Sequence, residues 1–361
     1  MEAWQKVILN EESFFDTVHG RYGCIVCHGG VSGVDDKEAA HEGLVRDPDS
    51  AEVCGNCHPD QVATDGSSLH SNLAGYTTVL EARSAPEKMA QLDVMMENHC
   101  EKCHTSCGQC HVSRPTNLGG GLLEGHQFKQ IPPMNLTCTG CHGSRIESEY
   151  KGKNEGVKAD VHWIQGGMSC FECHSADEMH GALGEFQYRY DGPPMPSCQD
   201  ADCHPNVAVG DGIPQHTEFH FEAMSCQVCH STSYKNCFGC HVGQEDGTAY
   251  FRTEPSEMMF KIGRNPLQSD DRPWLYVPVR HVPVDRESFS YYGETLLPNF
   301  EALPTWKYAT PHNIQRITPQ NETCGSCHGN AELFLMAEDV APDELEANKD
   351  VIVEELPFPI P

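Results

Sequence analysis

The sequence predicts a mostly irregular fold of short α-helices, with little side-chain core and one small β-containing insert. Three observations predict it. Only 38% of the 361 residues are hydrophobic, and 24 prolines and 32 glycines interrupt them, which is poor material for a conventional core of this size. All 20 cysteines fall in pairs, and a histidine follows the second cysteine of every pair. Residues 242–323 contain no cysteine, and strand-like segments lie there instead.

Nine pairs read C-x-x-C-H: Cys24 with Cys27, Cys54 with Cys57, Cys100 with Cys103, Cys107 with Cys110, Cys138 with Cys141, Cys170 with Cys173, Cys226 with Cys229, Cys237 with Cys240 and Cys324 with Cys327. The tenth, "CQDADCH", holds Cys198 and Cys203 with four residues between them. C-x-x-C alone suggests zinc or a redox dithiol. The adjacent histidine decides against both, because one turn cannot wrap Cys, Cys and the next His tetrahedrally around one ion. Haem c attachment does need that histidine. Two thiols must reach two vinyl groups on one porphyrin edge, and one imidazole must stand under the iron. Residues i, i+3 and i+4 share a face of one helical turn, which supplies that arrangement. The cofactor expected is haem c, ten copies, or nine if Cys198 and Cys203 form a lone disulfide instead.

The proximal iron ligands are then His28, His58, His104, His111, His142, His174, His204, His230, His241 and His328. Eleven histidines remain. The distal candidates are His19, His70, His99, His126, His162, His180, His220, His281, His312 and one of His41 or His216. Ten haems with two histidines each need twenty, and the chain has 21. The methionines, among them Met95, Met96, Met258 and Met259, are read as packing groups rather than ligands. Bis-histidine iron has no free position for substrate and changes oxidation state with little rearrangement. That favours electron transfer over chemistry at the metal, and no catalytic residue is expected.

The proximal histidines follow one another at intervals of 30, 46, 7, 31, 32, 30, 26, 11 and 87 residues. Each unit of this loose repeat is read as a short helix carrying an attachment turn, plus a loop bringing a distal histidine. Three regions result. Residues 1–241 form a nine-haem array. Residues 242–323 form a haem-free insert folding back on the haems, with strands in "EMMFKIGRNP" and "PWLYVPVRHVPVD". Residues 324–361 carry the tenth motif and an acidic tail, read either as laid on the surface or as an arm docking on a neighbouring subunit. In "NHCEKCHTSCGQCH" two motifs are separated by two residues, so their haems are neighbours whatever the rest of the chain does.

The formal net charge is −29 at pH 7, which repels phosphate backbones and makes nucleic acid an improbable partner. No apolar run approaches the ~20 residues of a membrane helix. The opening "MEAWQKVILNEESFF" lacks the pattern of a signal peptide. Haem c is attached outside the cytoplasm, so the chain is expected to be exported, with its signal already removed, to the cell surface or beyond, the periplasm being the alternative.

From Cys24 to His328 the motif pattern resembles multihaem c-type cytochromes of extracellular electron transfer, both surface-bound and filament-forming. The resemblance implies a decahaem conduit passing electrons between redox partner proteins, neighbouring copies and extracellular acceptors. Two stretches, "CTGCHGSRIESEYKGKNEGVKADVHW" and "TWKYATPHNIQRITPQNETCGSCHG", also resemble octahaem cytochromes of the tetrathionate-reductase type. That likeness implies distal roles for His162 and His312. It also implies an alternative function, reduction of a small sulfur or nitrogen oxyanion at one open haem near Lys151, Lys153 or Lys158. No C-x-x-C-K motif accompanies it.

Overall fold

Most attachment motifs fold as their spacing requires. Cys107–His111, Cys138–His142 and Cys226–His230 are single α-helical turns, and Ile25–His28 and Cys324–Cys327 are helical within their motifs. Cys54–Asn56 and Cys170–Glu172 are tighter 3₁₀ turns. In four of these the histidine N–H donates to the carbonyl of the first cysteine: His28 to Cys24 at 2.9 Å, His58 to Cys54 at 2.8 Å, His174 to Cys170 at 2.8 Å and His328 to Cys324 at 2.9 Å. The long motif closes the same bond across its extra residues, His204 N–H to the Cys198 carbonyl at 3.1 Å. The added residues are absorbed by a second bond, Cys203 N–H to the Asp200 carbonyl at 2.8 Å.

This computed structural model describes residues 2–48, 52–101, 106–115, 118–154, 156–185, 188–192, 196–232, 235–282 and 284–358, with the backbone alone at 3–4, 235–239 and 254–259. Cys103 and His104 lie outside the described residues, as does the Cys237 side chain.

The ninth motif departs from the helical expectation. Cys237–His241 lies in strand β1 (Lys235–Glu245), antiparallel to β2 (Thr248–Met259), with register shifts on either side of the motif's first residues. Cys240, the second cysteine of this motif, therefore sits in extended backbone, where it also bridges to Val284. The cause is local. Asp246 and Gly247 both have positive φ, +50° and +73°, the two-residue turn that matches strand twist and nucleates a hairpin. Pairing then runs back from that turn through the motif.

The chain divides into two compact units. The first comprises 1–73, 100–144 and 170–185, and the second 74–99, 145–169 and 186–361. They differ in what fills them. Among the described residues of the first unit, Phe14 and Leu123 are the buried apolar side chains. A unit of that size cannot offset its ordering entropy with two side chains, and it carries six of the ten attachment motifs.

The second unit has a side-chain core. Strands β3 (Lys261–Arg264), β4 (Tyr276–His281) and β5 (Trp306–Tyr308) form an antiparallel sheet in the order β3-β4-β5. Strands β3 and β4 fall within the two stretches read as strands, 257–266 and 273–285, whereas β5 lies outside both. Val277, Val279, Trp306 and Tyr308 pack with Leu335, Val340 and Val351, while Ile262 packs with Val228, Phe334 and Val353. The segment after His328 is therefore not a surface-laid tail up to Val353. Its apolar residues are spaced along an acidic stretch, and the sheet buries them while most of the carboxylates, though not Glu344, stay outside. A backbone bond from the Val353 N–H to the Leu335 carbonyl at 2.8 Å closes it.

Candidate haem-ligating sites

Seven pairs of histidine rings face each other across nearly one distance. Within the first unit, His28 lies 5.8 Å from His126, His58 6.2 Å from His19, His111 6.2 Å from His180 and His142 6.3 Å from His70, between ring centroids. Within the second, His204 lies 6.1 Å from His162, His230 6.3 Å from His216 and His328 6.1 Å from His220. Every one of these pairs joins a histidine of an attachment motif to one outside the motifs. Two imidazoles trans on one metal, bonded at about 2.0 Å with each ring centre about 1.2 Å beyond its nitrogen, place their centroids about 6.4 Å apart. The spacing therefore fits two axial ligands of one haem iron.

The rings are also fixed in the sense that axial ligation requires. Nδ1 donates to a backbone carbonyl in His28 (Val45, 2.9 Å), His111 (Lys129, 2.6 Å), His220 (Gln215, 2.7 Å), His230 (Gln315, 3.2 Å) and His328 (Phe358, 2.9 Å). His41 and His312 are held likewise, by the carbonyls of Lys37 at 2.6 Å and Thr310 at 2.9 Å. Carboxylates take the same role for His162 (Asp160, 2.8 Å), His174 (Glu178, 3.0 Å) and His216 (Asp211, 2.6 Å). Anchoring Nδ1 would leave Nε2 as the nitrogen able to ligate a haem iron and sets the plane of the ring.

Protonation agrees with this at four rings and runs the other way at two. A ligating imidazole must be neutral. Burial pushes His19 below the ordinary imidazole range, with His58 beside it adding to the effect. Burial likewise lowers His70, His126 and His230. The hydrogen bonds to Asp160 and Glu178 outweigh burial at His162 and His174 and raise them.

His126 is held at a cost. Its φ is +74°, in the left-handed region that residues other than glycine seldom enter. The preceding Gly125 has φ +54° and accepts the Asn10 N–H at 3.2 Å, and a Cβ there would meet the Asn10 Cβ at 2.7 Å. This close approach aims the His126 ring toward His28.

Four other histidines have different surroundings. His41 is exposed. The His99 Nε2 lies 2.7 Å from the Tyr292 hydroxyl. The His241 Nε2 lies 3.3 Å from Asp285. His281 is buried, and its Nε2 is 2.9 Å from Glu344.

No disulfide joins the cysteines of a motif among the described residues, and each thiol stays a separate group. Cys110, Cys141 and Cys240 are half-buried, whereas Cys173 is exposed, its N–H donating to the Cys170 carbonyl at 3.3 Å. These four are second cysteines of their motifs, the positions expected to carry one of the two thioethers. Cys110 and Cys141 stand on helical turns, Cys173 closes a 3₁₀ turn, and Cys240 lies on a strand. The last is the one whose backbone departs from the attachment-turn expectation.

Sulfurs of different motifs meet as well. The Cys54 thiol is hydrogen-bonded to Cys107, Cys138 to Cys170 and Cys198 to Cys226. The hydrogen bond to Cys170 and burial push Cys138 up, and the nearby Cys110 adds to the effect. Burial, reinforced by the nearby Cys57, pushes Cys27 up, and burial with Cys327 beside it pushes Cys229 up to about 11.

Lys151 and Lys153 both pair with Glu147, each at 2.8 Å. Met95 and Met96 are buried in the helix Met89–His99, as packing groups. The Met258 and Met259 side chains lie outside the described residues.

Residues 17–184 match the family model of outer membrane cytochromes, MtrC/MtrF-like, domains II/IV. That stretch holds six of the attachment motifs, and its similarity supports a multihaem cytochrome of extracellular electron transfer. No curated protein and no solved structure matches the chain. No helix among the described residues is long and apolar enough to cross a membrane.

Proposed function

We propose that the chain is an exported decahaem c-type cytochrome that conducts electrons along bis-histidine haems to extracellular acceptors or neighbouring copies. The observation that carries this is the set of seven motif-to-distal histidine pairs at 5.8–6.3 Å. Haem iron supplies a one-electron couple, and two imidazoles leave it no open position.

The pairing gives an assignment. His126, His19, His180, His70, His162, His216 and His220 are distal ligands to the haems of His28, His58, His111, His142, His204, His230 and His328 in that order. His281 is assigned as the spare, because a carboxylate, Glu344, holds its Nε2 at 2.9 Å, whereas the Nε2 of His99 meets only the neutral Tyr292 hydroxyl. His41, His99 and His312 then serve the haems of His104, His174 and His241. The sulfur contacts add an order of attachment sites. Within the first unit, sites 24–28, 54–58, 107–111, 138–142 and 170–174 are successive neighbours, the middle step resting on the approach of Cys110 to Cys138. Within the second, 198–204, 226–230 and 324–328 are successive neighbours.

The test is the reduced holoprotein under carbon monoxide. An unshifted Soret band, a low-spin near-infrared signature for every haem and a pyridine haemochrome count of ten are expected. A Soret shift on one haem would replace the conduit reading by the oxyanion reductase. Two of the amines that such a reductase would use, Lys151 and Lys153, each pair with Glu147 at 2.8 Å.

A further inference from the structure

The chain carries a formal charge of −29, yet the second unit gathers cations in one place. A solvent-open cavity of about 80 Å³ is lined by Arg145, Arg189, Arg280 and Lys307, with Tyr190 and Thr310 among its other walls. Arg280 and Lys307 are direct cross-strand partners on the β4–β5 ladder. Like charges in that relation destabilise a sheet, so an arrangement that keeps them opposite each other needs a compensating group.

For Lys307 the protein supplies little of it. Arg145 is neutralised by the buried Glu149 at 3.0 Å. The nearby Arg83 is almost fully buried and donates to the carbonyls of Phe300, Leu303 and Pro304, which offset no charge. Arg189 stacks over Tyr190 at 5.4 Å. Among the described residues no carboxylate forms an ion pair with Lys307. Burial, followed by repulsion from Arg83, Arg189 and Arg280, pushes Lys307 down to about 7. An anion seated here would restore its proton.

We infer that the cavity between Arg145, Arg189, Arg280 and Lys307 is an oxyanion-binding site that takes carboxylate-class or sulfate-class groups. Two sources offer that chemistry. One is the propionate pair of a haem, since Thr310 lines the cavity and its carbonyl anchors Nδ1 of His312. The other is a free small oxyanion. The first source rests on the haem reading and the second does not.

The experiment compares the holoprotein with the double variant Arg280→Gln, Lys307→Gln, which removes both cross-strand charges and keeps polar side chains. Haem count is measured first in each, so failure of the haem reading registers separately. Sulfate is titrated by calorimetry at low ionic strength, and resonance Raman follows the propionate bending modes. Saturable sulfate binding by the native chain, lost at least tenfold in the double variant, identifies a free oxyanion. No sulfate binding, with a shift of one haem's propionate modes in the double variant, identifies the haem carboxylates. If neither readout changes and the double variant is as stable as the native chain or more so, the cations are only a repulsive packing feature and the inference is overturned. Arg280→Lys, which keeps the charge, must retain whichever signal the native chain shows.

Discussion

The Nε2 of His281 and the Glu344 carboxylate are bound to each other at 2.9 Å inside the second unit. The pair is itself held. The Thr305 hydroxyl donates to Glu344 at 2.8 Å, Asn348 donates to Thr305 at 2.7 Å, and the Trp306 N–H donates to Asn348 at 2.8 Å. On the proposed assignment this histidine is structural. His281→Gln should therefore leave ten haems and an unchanged near-infrared ligand-field spectrum. It should cost about 1–3 kcal/mol of stability in denaturant titration, the usual penalty for orphaning a buried charged partner. Loss of one low-spin haem would return His281 to the ligand set.

The same pair sets a pH response. Burial tends to raise Glu344, but the His281 hydrogen bond and charge and the Thr305 hydroxyl outweigh it, so its carboxyl titrates below the ordinary glutamate value. A folded pKa below the unfolded one contributes stability that is present above the unfolded value, near 4.5, and is lost as pH falls through the folded value. Glu344→Gln should thus lower stability at pH 7 and flatten the acid limb below about 4.5. Denaturant midpoints of both proteins between pH 3 and 7 check it. Parallel curves would mean that the pair contributes nothing in acid.

His216 provides the test of the pairing. Its ring lies 6.3 Å from His230, and its Nδ1 is anchored by Asp211 at 2.6 Å. His216→Ala should open one haem, giving a high-spin signal in the ferric protein and a carbon monoxide adduct of about one haem in ten in the reduced one. An unchanged spectrum would make His216 the spare histidine.

How much of this was legible in the sequence depends on range. Attachment turns are local: three positions on one helical face decide them, and Cys107–His111 and Cys226–His230 fold accordingly. Ligand pairing is not local. His28 and His126 are brought together by a backbone contact between Asn10 and Gly125, and no periodicity records that. His41 and His216 offered themselves as spares because each sits near another candidate or in a plain loop, whereas the carboxylate that engages His281 lies at position 344. The "EDG" turn was a readable signal of the hairpin at the ninth motif, but the motif itself called for a helix and the competing turn was overlooked. The acidic run after His328 concealed Leu335, Val340, Val351 and Val353, whose spacing matches neither a helix nor a strand.

Cys198 and Cys203 test the haem count. Their motif is longer than the others, yet the His204 N–H still reaches the Cys198 carbonyl, and His162 faces His204 at 6.1 Å. Both relations fit a haem site and neither is needed by a disulfide. Intact mass and pyridine haemochrome should report ten haems in the native chain. Cys198→Ser with Cys203→Ser should report nine and abolish the low-spin signal of one bis-histidine pair. A native count of nine, unchanged in the double variant, would make this pair a disulfide.

The strain at His126 gives the last prediction. Its φ of +74° follows a glycine at +54°, and the glycine Cα packs where a Cβ would strike Asn10. Such a conformation persists only if its surroundings over-determine it. Here Asn10 supplies one constraint through its backbone, and on the proposed pairing the iron of a His28 haem would supply another through the imidazole. Gly125→Ala introduces both the clash and the unfavourable φ, so it should cost about 1–3 kcal/mol. The loss should concentrate at one site, read as a weakened distal bond: the haem of His28 becomes partly high-spin and binds added imidazole or cyanide faster than the other haems. Asn10→Gly removes the Cβ that the new Cβ meets at 2.7 Å, but neither the Asn10 nitrogen at 3.0 Å nor the left-handed backbone, so it should recover little in the double variant. Full recovery would mean that steric contact alone, and not the left-handed backbone, sets the cost.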